Sequence, residues 1–138
     1  MADTHTRLEG EHRALTEAFN QAWSDRDCER LVSFLHDDVA YMVYDDGPVF
    51  SGPQEVASKV GPFMHKFSRI EFEILRLDVI GPAVIHERTE HYYGPDGELD
   101  TFFHVVGVLV MRDGKIVLWR DYAIPGAKQI VGPLCTKK

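Results

Sequence analysis

Apolar residues in the first part of the chain recur on one helical face. Leu8, Leu15, Phe19 and Trp23, with Ala18 and Ala22 beside them, follow three- and four-residue steps, which predicts an amphipathic helix from Arg7 to Trp23. Ser24-Asp25-Arg26-Asp27 interrupts that pattern and offers Asp27 as the N-cap of a second, shorter helix through Leu31, Val32 and Leu35, so the two helices read as a hairpin. His36-Asp37-Asp38 is expected to end it. Val39 to Tyr44 is then β-rich, Asp45-Asp46-Gly47-Pro48 is a turn, and Val49-Phe50-Ser51 is a short return strand. Gly52-Pro53 starts a third helix, because proline is preorganised for the first helical position, and Val56, Val60, Phe63 and Met64 supply its apolar side to about Lys66.

From Ser68 onward the pattern changes to strands: Ser68 to Val79, Ala83 to Tyr93, Leu99 to Arg112 and Ile116 to Ala123. Gly81-Pro82, Pro95-Asp96-Gly97 and Asp113-Gly114 separate them, and turns of known length also fix register. A two-residue loop at Asp113-Gly114 pairs Arg112 with Lys115 and thereby Val106 with Asp121. A three-residue loop at Pro95-Asp96-Gly97 pairs Gly94 with Glu98, and thereby Arg88 with His104 and Glu90 with Phe102. Side chains alternate along a strand, so Arg88, Glu90, Phe102, His104, Val106, Trp119 and Asp121 are expected on one face. Phe103, Val105, Leu109 and Met111, with Leu118 and Tyr122, are expected on the other. A slip of one residue in either loop would exchange the two faces of a strand.

At 138 residues the chain reads as one domain, residues 1–138, with a C-terminal tail at 124–138 whose Ile130, Val131 and Leu134 would cover a pocket mouth or a subunit contact. Hydrophobic content of 44% and charged content of 27% are those of a globular protein, and no apolar run approaches the roughly 18 residues of a membrane span. A formal net charge of −7 without a cluster of Lys and Arg argues against nucleic acid and anionic membrane as partners, which leaves a small hydrophobic ligand. The polar start Met1-Ala2-Asp3-Thr4-His5 lacks the basic and apolar stretches of a secretory signal, so the expected location is the cytoplasm. Cys28 and Cys135 have neither metal nor redox spacing and are expected to be reduced and unpaired. The broad apolar outer face is most simply covered in a homodimer.

The chemistry concentrates in two stretches, Glu87-Arg88-Thr89-Glu90 and Trp119-Arg120-Asp121-Tyr122. Ionised side chains aimed at an apolar interior need partners, so one arginine between two carboxylates is either a structural ion cluster or acid-base machinery. Two neighbouring carboxyls resist simultaneous ionisation, so a guanidinium that stabilises one anion leaves the other as an acid. His86 and His104 could share the pocket face, yet no His-x-x-x-His or Cys pair accompanies them, so neither a metal nor another cofactor is expected. Trp119, Phe102, Val106 and Tyr92, with His104, are the expected pocket lining.

Helices followed by a long antiparallel run resemble the α+β cone of the nuclear transport factor 2-like superfamily, in which a curved, mainly antiparallel mixed sheet wraps around helices and leaves a deep pocket. Glu87-Arg88-Thr89-Glu90, then Gly107, Asp113-Gly114-Lys115-Ile116 and Trp119-Arg120-Asp121-Tyr122, resemble more closely its limonene-1,2-epoxide hydrolase branch, whose site is an Asp-Arg-Asp trio. Tyr44-Asp45-Asp46 resembles that branch's Tyr-x-Asn pair. The resemblance implies Asp121 as the base on a water, Arg88 as a bridge, Glu90 as the acid to an epoxide oxygen, and Tyr44 and Asp46 as further anchors of the water. Glu90 stands where the branch has aspartate, and Asp46 where it has asparagine. Two other functions fit the same pocket. One is an isomerase or cyclase of the ketosteroid isomerase and polyketide cyclase type, against which the arginine argues because it weakens a lone carboxylate base. The other is a non-catalytic module that binds a small hydrophobic ligand.

Overall fold

The computed structural model describes residues 2–43 and 47–124. Tyr44, Asp46, Cys135 and the tail residues Ile130, Val131 and Leu134 lie outside the described residues. Among the described residues, three helices, α1 (Ala2–Ser24), α2 (Cys28–Ser33) and α3 (Gly52–Met64), accompany six strands, β1 (Leu35–Val43), β2 (Val49–Ser51), β3 (Arg69–Ile80), β4 (Ala83–Tyr93), β5 (Leu99–Arg112) and β6 (Lys115–Ala123). The strands form one sheet in the order β2-β1-β6-β5-β4-β3, antiparallel throughout except for the parallel pair β1 and β6. This is the expected α+β arrangement of helices against a curved mixed sheet.

Local chemistry sets the element ends. Asp27 caps α2 by accepting the Arg30 N–H at 3.1 Å. Gly52 opens α3 with a φ of +83°, a left-handed backbone that favours glycine, and Pro53 follows it. The second helix stops at Ser33 and does not reach Leu35, because the Phe34 carbonyl accepts the Ile116 N–H at 2.9 Å and Leu35 pairs with Ile116. Sheet pairing at this point replaces helix, and His36-Asp37-Asp38 lie inside β1, where its register to β6 shifts between Leu35 and Ala40.

The buried side of α1 differs from the expected apolar stripe. Leu8 is exposed, whereas His12, Thr16 and Asn20 are buried beside Phe19 and Trp23. His12 is there because the start of α1 bonds the β3–β4 turn: His12 Nδ1 lies 2.8 Å from the Gly81 carbonyl, Glu9 accepts the Gly81 N–H at 2.9 Å, and the Thr16 hydroxyl donates back to the His12 carbonyl at 2.9 Å. Further along, Phe19, Trp23 and Trp119 pack edge to face, and Trp119 stacks on Tyr41 with ring centroids 3.6 Å apart.

Two bulges decide which residues of β5 face inward. The turns pair as expected, with the Gly94 N–H on the Glu98 carbonyl and Arg112 opposite Lys115. Beyond them, Tyr92 pairs with Thr101 and Tyr93 with Leu99, so Asp100 is the extra residue. Likewise Val110 pairs with Leu118 and Met111 with Ile116, so Val117 is extra. Each bulge shifts register by one. Arg88 therefore opposes Val105, Glu90 opposes Phe103, and Asp121 opposes Gly107. The two shifts cancel between β4 and β6 and exchange the faces of β5 alone. Phe103, Val105, Leu109 and Met111 are consequently inside, and Phe102, His104, Val106, Val108 and Val110 form the outer face with Leu118 and Tyr122.

Candidate active site

Alternation along β4 is complete: Val84, His86, Arg88, Glu90 and Tyr92 are buried and the residues between them are not. Four of the five are ionisable groups that an apolar interior accepts only when partnered. Arg88 supplies the partner. Its Nε and Nη2 both lie 2.6 Å from Glu90 Oε2, and Nη2 is 3.1 Å from Asp121 Oδ2. The remaining nitrogen, Nη1, is 3.5 Å from His86 Nε2, and the guanidinium stands 5.1 Å from the Phe72 ring centre.

Both carboxyls have further partners. Trp119 Nε1 donates to Asp121 Oδ2 at 3.2 Å. Asp121 Oδ1 is buried and has no hydrogen-bond partner among the described residues. On the other side, the Tyr92 hydroxyl donates to Glu90 Oε1 at 2.6 Å and accepts from Trp23 Nε1 at 2.9 Å. A continuous ribbon thus runs from Asp121 through Arg88, Glu90 and Tyr92 to Trp23.

Burial is the main force on these groups. Desolvation raises the Glu90 carboxyl above the ordinary carboxylate range, Arg88 opposes that shift, and the charge on Asp121 adds to it. Burial alone would lower Arg88, but Asp121 and Glu90 more than offset it and hold the guanidinium charged. Tyr92 is pushed well above its usual value by burial and by Glu90, so it stays a phenol. Burial, then the charge of Arg88, pushes His86 down to about 3, so the imidazole is neutral. Burial therefore pushes Glu90 toward its protonated form beside a guanidinium that stays charged.

Gly107 makes the cluster possible. A Cβ there would fall 2.6 Å from His86 Nε2, 2.7 Å from Arg88 Nη1 and 3.1 Å from Asp121 Oδ1. A residue without a side chain lets the three groups lie over the strand.

The cluster forms one wall of a cavity of about 300 Å³ whose other walls are largely aromatic, including Phe19, Trp23, Tyr41, Phe63 and Phe72. Arg88, Glu90, Asp121, Trp119 and Tyr92 all line it. Phe102, His104 and Val106 do not, because the two bulges turn their strand positions outward; His104 instead bonds Glu87 at 2.6 Å on the reverse of the sheet. His86 takes the pocket position expected for a histidine. Asn20 is a lining residue that sequence reasoning missed, and its Nδ2 has no partner among the described residues. The four-residue spacing of His12, Thr16 and Asn20 was the available signal. Among the described residues, no three His, Cys, Asp or Glu side chains gather as a metal site, and no helix is long and apolar enough to cross a membrane.

Such a site can hold a small apolar molecule against a base at one end of the ribbon and an acid toward the other. Comparisons with known proteins identify the family. The SnoaL-like domain model matches residues 16–119. Epoxide hydrolase EphG of Mycobacterium tuberculosis is 32% identical over 106 residues, which cover 77% of this chain and 68% of that protein. A solved structure of an M. tuberculosis LEH-like epoxide hydrolase superposes with a TM-score of 0.76 at 28% identity, covering 87% of each chain. A protein of ketosteroid isomerase-like fold from Catenulispora acidiphila, crystallised with trimethylamine, has a TM-score of 0.72 at 15% identity over 83% of this chain and 88% of its own, a likeness of fold alone.

Proposed function

The chain belongs to the SnoaL-like domain family, and we propose that it is a cofactor-independent epoxide hydrolase that opens a small apolar epoxide to a diol in one step. Asp121 takes a proton from water as the water oxygen attacks an epoxide carbon. The carbon–oxygen bond breaks with its electron pair on oxygen, and Glu90 is the source of the proton that oxygen receives. Arg88 holds both carboxyls in place throughout. Passage of one proton from Asp121 back to Glu90 restores the starting state. Tyr44 and Asp46 belong to this reading as further anchors of the water.

The observation that supports it best is the division of labour on Asp121. Oδ2 is held by Arg88 and Trp119, while Oδ1 is buried against the cavity wall without a partner among the described residues. Buried carboxylate oxygens in a structural ion cluster are as a rule hydrogen-bonded, so an unsatisfied one on a cavity wall is a place for a water to bond. The guanidinium itself is engaged on all three nitrogens, as a structural cluster would have it, but the space beside it is open.

Incubating purified protein with a panel of alkyl, aryl and terpene epoxides and following diol tests the proposal. Turnover of at least one compact epoxide is expected; none across the panel, with the fold intact, rejects it.

A further inference from the structure

Three polar side chains, His12, Thr16 and Asn20, stand one turn apart on the buried face of α1. The first two are partnered within the protein. His12 Nδ1 lies 2.8 Å from the Gly81 carbonyl, and the Thr16 hydroxyl donates to the His12 carbonyl at 2.9 Å. Asn20 Nδ2 is buried with no partner among the described residues, and Asn20 alone of the three lines the cavity. A buried amide N–H left unpaired is costly, and an apolar residue would suit both the helix and its aromatic surroundings better. The unmet donor and the open space coincide at one residue.

The neighbouring donors of the ribbon are already engaged. Trp23 Nε1 donates to Tyr92, the Tyr92 hydroxyl to Glu90 and Trp119 Nε1 to Asp121, while Arg88 directs its nitrogens at Glu90, Asp121 and His86. His86 Nδ1 also lacks a partner, but His86 is only 1% exposed, against 6% for Asn20, which falls between Glu90 at 5% and Asp121 at 9%. Phe19 and Trp23, which flank Asn20 on α1, both pack against Trp119, the residue whose indole N–H holds Asp121. The cavity thus has a polar group on its sheet wall at Asp121 and another on its helix wall at Asn20, in surroundings that are otherwise largely aromatic.

We propose that Asn20 is a substrate-binding residue, and that the substrate is a compact epoxide carrying a second oxygen, a carbonyl, which accepts the Asn20 Nδ2 hydrogen while the epoxide ring lies toward Asp121. The proposal deepens the epoxide hydrolase reading above and rests on it. An N–H donor selects an acceptor, and a carbonyl oxygen offers lone pairs and no hydrogen. A hydrocarbon in the same place would leave the amide unpaired. A buried polar group therefore rejects a ligand that lacks its partner far more strongly than an apolar wall rejects one of slightly different size.

The test uses pairs of short terminal epoxides of one shape, an epoxyketone and the twin in which a methylene replaces the carbonyl oxygen, with the carbonyl moved along the chain from pair to pair. Wild-type kcat/KM is expected to favour the ketone by about 10- to 100-fold in at least one pair, the order of one buried hydrogen bond left unmade. In Asn20→Leu that preference should fall below about 3-fold, chiefly through a higher KM for the ketone. Absence of preference in every pair, or a preference that survives the substitution, overturns the proposal. So does an equal loss on both twins, which a residue that only supports packing would give. Should Asn20→Leu not fold, Asn20→Met removes the same donor and carries the same expectation. If wild-type protein opens no epoxide at all, the hydrolase reading falls and the subsite is judged by binding. The unreactive saturated ketone should then raise the melting temperature more than its methylene twin in wild type and not in Asn20→Leu; equal shifts overturn the subsite as well.

Discussion

Strands β4, β5 and β6 carry a cluster of polar side chains on each face, and the two clusters have opposite characters. Inside, Arg88, Glu90 and Asp121 are 4%, 5% and 9% exposed and share a cavity wall. Outside, Glu87 and His104 form a pair of comparable length, 2.6 Å, with side chains only partly covered. A pair in contact with water exchanges one set of favourable interactions for another and contributes little. A buried cluster has no such exchange, so each member depends on the others for its charge state. Burial, not proximity, separates the inner cluster from the outer pair here.

Four substitutions or titrations sharpen that contrast, beginning with the strongest. Asp121→Asn should lower kcat on any accepted epoxide by at least about 100-fold, since an amide cannot take the water proton. Glu90 still pairs with Arg88 in that variant, so the melting temperature should fall by no more than a few degrees in a thermal scan.

Gly107→Ala is expected to do nearly as much damage to turnover without removing an ionisable group. The new methyl would lie under 3 Å from both His86 and Arg88. Overpacking of this kind costs about 1–3 kcal/mol, and displacing the guanidinium by a fraction of an ångström should slow turnover on the order of 100-fold. Urea unfolding and kcat read the two effects separately.

The two bulges beside β5 also mark what the sequence made legible. Helix α1 and strands β4 and β6 follow from periodicity and turn residues, and so does the meeting of Arg88, Glu90, Asp121 and Trp119. Strand β5 resists because it is apolar on both faces: Phe102, Val106 and Val108 alternate with Phe103, Val105 and Leu109, so no pattern distinguishes inside from outside. Both turns pair as their loop lengths require, and the shifts come afterwards, at Asp100 and Val117, which carry no sequence signature of a bulge. Two errors of equal size cancelled for Asp121 and not for His104. Gly107 was the one clue, since an isolated glycine in a strand marks close approach by a bulky neighbour.

An effect on stability alone is expected from pH. His86 is neutral in the fold with its pKa at about 3, against the ordinary 6.5 of the unfolded chain. Between those values the unfolded state binds the extra proton, so this residue's contribution to stability is full above about pH 6.5 and is lost as pH falls toward 3, by at most roughly 5 kcal/mol. Glu90 acts in the opposite sense, because a carboxyl raised in the fold loses stability as pH climbs above its unfolded value. Subtracting the unfolding profile of His86→Gln from that of the wild type isolates the imidazole, and a difference that stays flat with pH would contradict its burial.

The smallest change belongs to the outer pair. His104→Ala should leave kcat unchanged and cost less than about 1 kcal/mol in urea unfolding. A loss above roughly 2 kcal/mol would mean that this face is covered in the working protein, as a homodimer would cover it, and the contrast drawn between the two faces would narrow.

The central claim is that Asp121 activates water and does not itself attack the substrate. Its most direct test is a single turnover in ¹⁸O-labelled water with protein in excess over epoxide, read by mass spectrometry of the diol. Direct attack by water places the heavy oxygen in the product of the first turnover and leaves the protein unlabelled. Unlabelled diol, with the label appearing on a carboxylate of the protein, would contradict the account.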